Sequence, residues 1–192
     1  MPLGSYNIYD IIENIGEDAT QCILSQFLCP KNAEIENFVR YKALDLAKRK
    51  ATVTYLIMDE CGSVAAVYAL THKAITVSKP EFGSTMRKKL ARYAHHDKES
   101  DTYTASAFLI AQFGKNYADD APEIAGDYMM DRVLETISEA QRLVGGGVVY
   151  LECEESIPKL REFYSNEHNR FVEFGHRRAE DATEYLQMLR LL

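Results

Sequence analysis

The stretch DYMMDRVLETISEAQRLVGGGVVYLEC, residues 127–153, sets the architecture. Met130, Val133, Leu134, Ile137, Gln141 and Val144 recur at helical spacing and line one face, so residues 127–144 read as an amphipathic helix. Gly126 stands at its start, and Gly145, Gly146 and Gly147 stop it, because glycine takes the left-handed backbone that ends a helix. The apolar run Val148-Val149-Tyr150-Leu151-Glu152-Cys153 follows at once and reads as a strand.

Downstream, Ser156 is placed to cap a helix with Ile157, Leu160, Phe163 and Tyr164 on one side. Residues 171–174 and 185–191 read as closing strands. Upstream, residues 103–114 form another strand candidate with an apolar centre at 107–111. Residues 52–58 (TVTYLIM) and 64–70 (VAAVYAL) flank the turn-forming Asp59-Glu60-Cys61-Gly62-Ser63 and read as a hairpin. Before them, Ile35, Phe38, Val39, Ala43, Leu46 and Ala47 give a helix over 33–50. Asn32 is its cap, Glu34 and Glu36 sit at its positive end, and Lys48, Arg49 and Lys50 at its negative end. Residues 19–27 are a further helical stretch, and 84–94 a basic helix. The order of elements describes one α/β domain over 1–192, a sheet covered by helices. Residues 1–5 (MPLGS) are set aside as resembling a cloning remnant.

The 192 residues are 46% hydrophobic and 27% charged, ordinary for a globular protein. No apolar run approaches the ~20 residues that span a bilayer, so no membrane partner is expected. No secretory signal is visible, and Cys22, Cys29, Cys61 and Cys153 are scattered. The expectation is reduced thiols in the cytoplasm, with neither a disulfide frame nor a metal site. A formal net charge of −7 disfavours general nucleic-acid binding. The local exception is Arg87, Lys88, Lys89 and Arg92, followed by His95 and His96. Adjacent histidines on a helix diverge by ~100°, so they make a poor ligand pair. No P-loop, H-E-x-x-H or G-x-S-x-G motif occurs.

Three segments, in this order, resemble the GNAT superfamily of acetyl-CoA-dependent N-acetyltransferases over residues 33–192. The run Leu109-Ile110-Ala111-Gln112-Phe113-Gly114-Lys115-Asn116 looks like the family's central L-x-x-x-L-A-V-D strand. The run Ala121-Pro122-Glu123-Ile124-Ala125-Gly126 stands where the family has Q/R-x-x-G-x-G/A. It keeps only the last glycine, with Ala121 and Ile124 replacing the other two positions. Leu160-Arg161-Glu162-Phe163-Tyr164 is similar to the family's A-x-x-F-Y helix, although the following Ser165 to Phe171 departs from its compact N-G-F ending.

The resemblance implies a GNAT-like mixed, mostly antiparallel central sheet with a V-shaped splay and helices on both faces. It implies acetyl-CoA in a splay between strands 103–114 and 148–153. Phe113, Gly114 and Lys115 would meet the pantetheine arm and thioester, and Ala125, Gly126, Asp127 and Tyr128 the pyrophosphate. Helix-start N–H groups supply the physics of that second contact. Tyr164 would protonate the departing CoA thiolate, since a phenol keeps its proton at neutral pH. Leu160 and Phe163 are expected in the core, with Tyr164 at its margin. Glu152 and Glu154 share a strand face and would bind a cationic substrate or serve as base.

The activity implied is direct acetyl transfer in a ternary complex to a primary amine of a small molecule or protein. Two other readings stay open: an aminoacyl-tRNA-acetylating toxin-like enzyme, and a catalytically silent GNAT-fold CoA-binding or regulatory protein, motivated by the altered glycine motif. Neither acceptor nor oligomeric state is fixed by the sequence, a homodimer being compatible with it.

Overall fold

Asn7 opens the first helix as its sequence dictates: its side-chain oxygen accepts from Tyr9 N at 2.9 Å. The computed structural model describes residues 2–78 and 83–192. The chain divides into two compact units, Met1–Thr71 with Ile110–Val133, and His72–Leu109 with Leu134–Leu192.

The first unit holds β1 (Gly4–Asn7), α1 (Ile8–Ile15), α2 (Glu17–Ser25), α3 (Ala33–Asn37), α4 (Ala43–Lys48), β2 (Val53–Met58) and the first half of β3 (Val64–Ser78). Residues 4 and 5, set aside on sequence grounds, belong to β1 and pair antiparallel with Met58 and Ile57 of β2. The helix expected over 33–50 is there with its Asn32 cap, which accepts from Ile35 N at 3.1 Å. It is interrupted by a wide π turn at Phe38–Lys42, where Ala43 N reaches back to Phe38 O. The hairpin turn is closed by Asp59, whose carboxylate accepts from Cys61 N and Ser63 N, both at 2.9 Å. Ile8, Leu24, Phe27, Val39, Ala43, Ala47, Leu56 and Val67 are in this unit's core.

The second unit holds the rest of β3, α5 (Ser84–Leu90), β4 (Ala94–Asp97), the first part of β5 (Thr102–Lys115), most of α6 (Gly126–Val144), β6 (Val148–Glu154), α7 (Pro158–Ser165), β7 (Val172–Arg178) and β8 (Glu184–Leu191). Strand β8 pairs antiparallel with β6 from Val148↔Leu191 to Glu154↔Tyr185, and with β7 across a bulge at Glu173/Gly175. Strands β5 and β6 run parallel, with Phe108 opposite Val149 and Leu109 opposite Tyr150. A parallel pair needs a crossover, which α6 supplies. Among the described residues the strands form one eight-stranded, mostly antiparallel sheet in the order β1-β2-β3-β5-β6-β8-β7, with β4 on β5. Val77, Leu90, Ala107, Val148, Tyr150 and Leu189 are in the core of this unit.

Three local expectations are corrected. The basic helix stops at Leu90 rather than 94, and His95 and His96 lie on strand β4, where their side chains alternate. His96 stacks on Tyr103 and meets Asp101 at 3.0 Å. Val144 is exposed: Met129, Met130, Val133 and Ile137 are the buried face of α6, and its last turn carries Leu143 and Val144 in solvent. Ser156 does not cap α7, which starts at Pro158 with the non-capping Ile157 before it. No helix among the described residues is long and apolar enough to cross a membrane.

Candidate functional site

In the first unit, the end of β5 is fixed from both sides. Gly114 is buried where a Cβ would come within 2.8 Å of Ile35 Cγ2, so α3 packs directly on the strand backbone. Asn116 then ties three segments together. Its Nδ2 donates to Val64 O at 2.8 Å, and its Oδ1 accepts from Leu28 N at 2.9 Å and Ala118 N at 3.2 Å. Phe113 and Lys115 are half-buried on either side of Gly114. The sequence motif ends on Asn116 without disclosing this role. Two of its partners lie 52 and 88 residues away, which only the fold could supply.

Helix α6 begins at Gly126, and Met129 N donates to Ala125 O at 3.1 Å, opening the helical ladder. The N–H groups of Gly126, Asp127 and Tyr128 therefore belong to the first turn, whose donors have no intrahelical acceptor. The Tyr128 side chain is committed elsewhere. Its hydroxyl donates to Leu3 O at 2.7 Å, and the Arg132 guanidinium lies over its ring at 5.0 Å. Asp127 is exposed and lies in this first turn. Ala125, Gly126, Asp127 and Tyr128 can thus offer an anion backbone donors at the positive end of a 19-residue helix.

In the second unit, Tyr164 is buried, while Leu160 and Phe163 are only half-buried. This reverses the expected order. The cause is the return of the chain: Phe171 N donates to Tyr164 O at 2.9 Å, folding residues 165–171 over the helix. The Phe171 and Phe163 rings then meet Tyr164 edge-on at 6.0 and 5.1 Å. Burial, with a smaller push from Cys153, raises the Tyr164 phenol well above its ordinary value. Burial, followed by the Glu173 charge, raises the Cys153 thiol to about 11, so it stays protonated.

Glu152 is the centre of a network that the sequence did not reveal. Its Oε1 accepts from Tyr150 Oη at 2.5 Å and Gln187 Nε2 at 3.2 Å, with Lys73 Nζ at 3.5 Å. Its Oε2 is gripped by Arg177 through Nε at 2.8 Å and Nη2 at 2.7 Å. Burial pushes the Glu152 carboxyl up, but the bonds from Tyr150, Arg177 and Gln187 and the Lys73 charge outweigh it. The net result is a carboxyl below its ordinary range. The i, i+2 spacing of Tyr150 and Glu152 was visible, whereas Lys73, Arg177 and Gln187 come from three other strands. Glu154, on the same strand face, is half-buried beside Ser156, whose Oγ lies 3.4 Å from its carboxylate.

No protein-family model and no curated protein matches the sequence. Solved structures do match. The toxin AtaT complexed with acetyl-methionyl-tRNAfMet has a TM-score of 0.64 at 12% identity, covering 96% of this chain and 94% of that one. A tyrosine-to-phenylalanine mutant of KacT gives 0.64 at 13% identity, with 98% and 95% covered. An AtaT mutant bound to the C-terminus of the antitoxin AtaR and acetyl-CoA gives 0.58 at 12% identity, with 98% and 94% covered. AtaT is a toxin whose structures hold acetyl-methionyl-tRNAfMet and acetyl-CoA. At such identities what is shared is the fold, and this chain has the GNAT fold over nearly its whole length.

Proposed function

We propose that this chain is an acyltransferase that moves the acetyl group of acetyl-CoA directly to a primary amine, and that the amine is the aminoacyl end of a charged tRNA. The observation that carries the reading is the end-to-end likeness to AtaT, whose structures hold acetyl-methionyl-tRNAfMet and acetyl-CoA. In the first unit, the first turn of α6 is the binder of the CoA pyrophosphate. The backbone at Phe113, Gly114 and Lys115 is the donor set for the thioester oxygen, where negative charge develops. In the second unit, Tyr164 is the acid: as the amine nitrogen bonds to the carbonyl carbon and the C–S bond breaks, the thiolate takes the phenolic proton, while the proton that the nitrogen sheds on becoming an amide passes to solvent water, from which the phenolate is reprotonated. Its raised pKa keeps that proton in place until the thiolate forms.

The network around Glu152 bears on the acceptor. A carboxylate whose two oxygens already face five donor groups, with its pKa held down, is a weak base. A lysine-like amine, with a pKa near ~10.4, would need a base, whereas an α-amine near ~8 is partly neutral already. This favours an α-amine over the side chain of a protein lysine. The net charge of −7 argued against nucleic acid, but the deficit is not uniform. On α5 and the turn after it, Lys88, Lys89 and Arg92 are exposed and Arg87 half-buried, with no ion pair among the described residues.

Radiolabelled acetyl-CoA offered with aminoacyl-tRNA, uncharged tRNA, free small amines and a lysine-rich protein tests the reading. Label is expected on charged tRNA alone, at a rate rising with pH toward the α-amine pKa. Transfer to small amines or lysines but not to charged tRNA would overturn the acceptor. No consumption of acetyl-CoA with any acceptor would overturn the enzyme.

A further inference from the structure

Glu152 lies two residues beyond Tyr150, whose partner Leu109 is in the last β5–β6 pair of the register. Its carboxylate is tucked under two cations. The Glu152 side chain is 17% exposed, whereas those of Lys73 and Arg177 are each 41% exposed. What faces solvent is therefore the positive part of the cluster. Both cations are also held over aromatic faces, Lys73 Nζ at 5.0 Å from the Tyr150 ring and the Arg177 guanidinium at 4.6 Å from Tyr185. Gln187 donates to both Tyr150 Oη and Glu152, so the layer beneath is hydrogen-bonded throughout.

Two positive side chains against one carboxylate leave one charge in excess. Glu152 is the carboxylate in ion-pair contact with either cation among the described residues. Asp181 feels the charge of Arg177, but its own hydrogen bonds go to Thr183. A structural ion pair needs one cation. A second, parked at 3.5 Å on an oxygen that Tyr150 and Gln187 already satisfy, adds little to the fold. The geometry points to Lys73 and Arg177 as a phosphate-binding pair, with Glu152 as the internal counter-ion that holds Arg177 in place.

The phosphate assigned to this pair is a phosphodiester of the acceptor RNA, a choice that rests on the proposed aminoacyl-tRNA reading. The other source of the same chemistry is CoA itself, with its phosphates. Arg177 offers a planar fork with Nη1 not engaged by Glu152, and Lys73 a point charge. A phosphate bridging the two would displace little, because neither cation leaves Glu152.

The test reads binding without turnover. Fluorescence anisotropy of a labelled single-stranded RNA oligonucleotide is measured over a salt series with the full chain, with Lys73→Gln and with Lys73→Arg. The expected result is affinity several-fold weaker in Lys73→Gln, with the slope of log K against log salt shallower by ~0.7, one phosphate contact on a single strand. Lys73→Arg restores both. Calorimetry with acetyl-CoA on the same proteins separates the sources. A loss there in place of the RNA loss overturns the assignment to the acceptor. RNA binding absent in the parent chain, or equal in slope and affinity in Lys73→Gln, overturns the site. Because no acetyl transfer is read, a failed enzyme assay and a failed phosphate site remain distinguishable.

Discussion

The junction from β5 to α6 and the junction from β6 to α7 depart in different ways from the GNAT pattern they resemble. At the first, two of three motif positions are replaced, by Ala121 and Ile124, yet the helix still starts at Gly126. At the second, the Phe163-Tyr164 pair is intact, yet the surrounding loop differs and Tyr164 is the member that is buried. The physical distinction is what would carry the proposed chemistry. Backbone N–H groups at a helix start are present whatever the side chains are. A proton donor is one atom of one side chain, so its residue cannot be exchanged. Function held by backbone tolerates drift, and function held by a side chain does not.

Tyr164→Phe removes the proton donor proposed at the second junction and carries the largest expected effect. The ring stays against Phe171 and Phe163, so folding and acetyl-CoA affinity remain near normal. The chemical step falls by ~10²-fold, at the low end of general-acid contributions. Single-turnover acetyl transfer is the measurement, since slow product release would mask the loss. A chemical step equal to that of the parent chain would make Tyr164 a packing residue.

Gly126→Val attacks the first junction where backbone access matters. It leaves every N–H in place and crowds the approach to them with a branched side chain. The expected result is acetyl-CoA binding weakened by roughly tenfold, about 1.4 kcal/mol, with the catalytic step on bound substrate little changed. Calorimetry reads it. Asp127→Asn beside it removes an exposed charge from the same turn and should tighten binding slightly. Unchanged affinity in a folded Gly126→Val would move the pyrophosphate away from α6.

The two junctions also differ in how much could be read in advance. The elements around both were legible because periodicity and caps are local: Asn32, the Asp59 turn and the glycines after α6 all act within a few residues. Gly145 and Gly146 do have the positive φ, 74° and 94°, that the stop required. The burial of Tyr164 was not legible, because Phe171 has to fold back onto it. Nor were the partners of Glu152, which β3, β7 and β8 deliver to one place. Strand β1 was hidden for a different reason: its four residues acquire meaning only through pairing with β2, about 50 residues on.

Glu152→Gln sharpens the contrast by testing a side chain whose role is to hold other side chains. It removes the charge that Arg177 grips and is expected to cost about 1.5–3 kcal/mol at neutral pH, the scale of hydrogen bonds to a charged group. The sign with pH follows from the lowered carboxyl. A group whose folded pKa lies below its unfolded value stabilises the fold fully above the unfolded value, near 4.5. That contribution is lost as pH falls through the folded value. Urea unfolding at pH 7 and again below pH 4 should therefore show the gap between parent and variant closing in acid. A gap that widens in acid would contradict the lowered pKa.

The smallest expected effect on the fold comes from reversing α5. Leu90 is fully buried and anchors the short helix, whereas Lys88, Lys89 and Arg92 point charge into solvent without ion pairs among the described residues. Changing Arg87, Lys88 and Arg92 to Glu should shift stability by less than ~0.5 kcal/mol at each of the exposed Lys88 and Arg92, the usual range for exposed positions away from special features, and by more at half-buried Arg87. The change leaves the α6 junction as it is, so acetyl-CoA affinity should stay near that of the parent. Affinity for tRNA should fall, and its salt dependence should flatten by up to ~0.9 for each duplex phosphate that is no longer neutralised. The pairing of these readouts is what gives the variant its use. Loss of tRNA binding with acetyl-CoA binding intact assigns α5 to the acceptor. Loss of acetyl-CoA binding instead would make α5 part of the cofactor's surroundings, and the first turn of α6 would no longer account for the phosphate contacts alone.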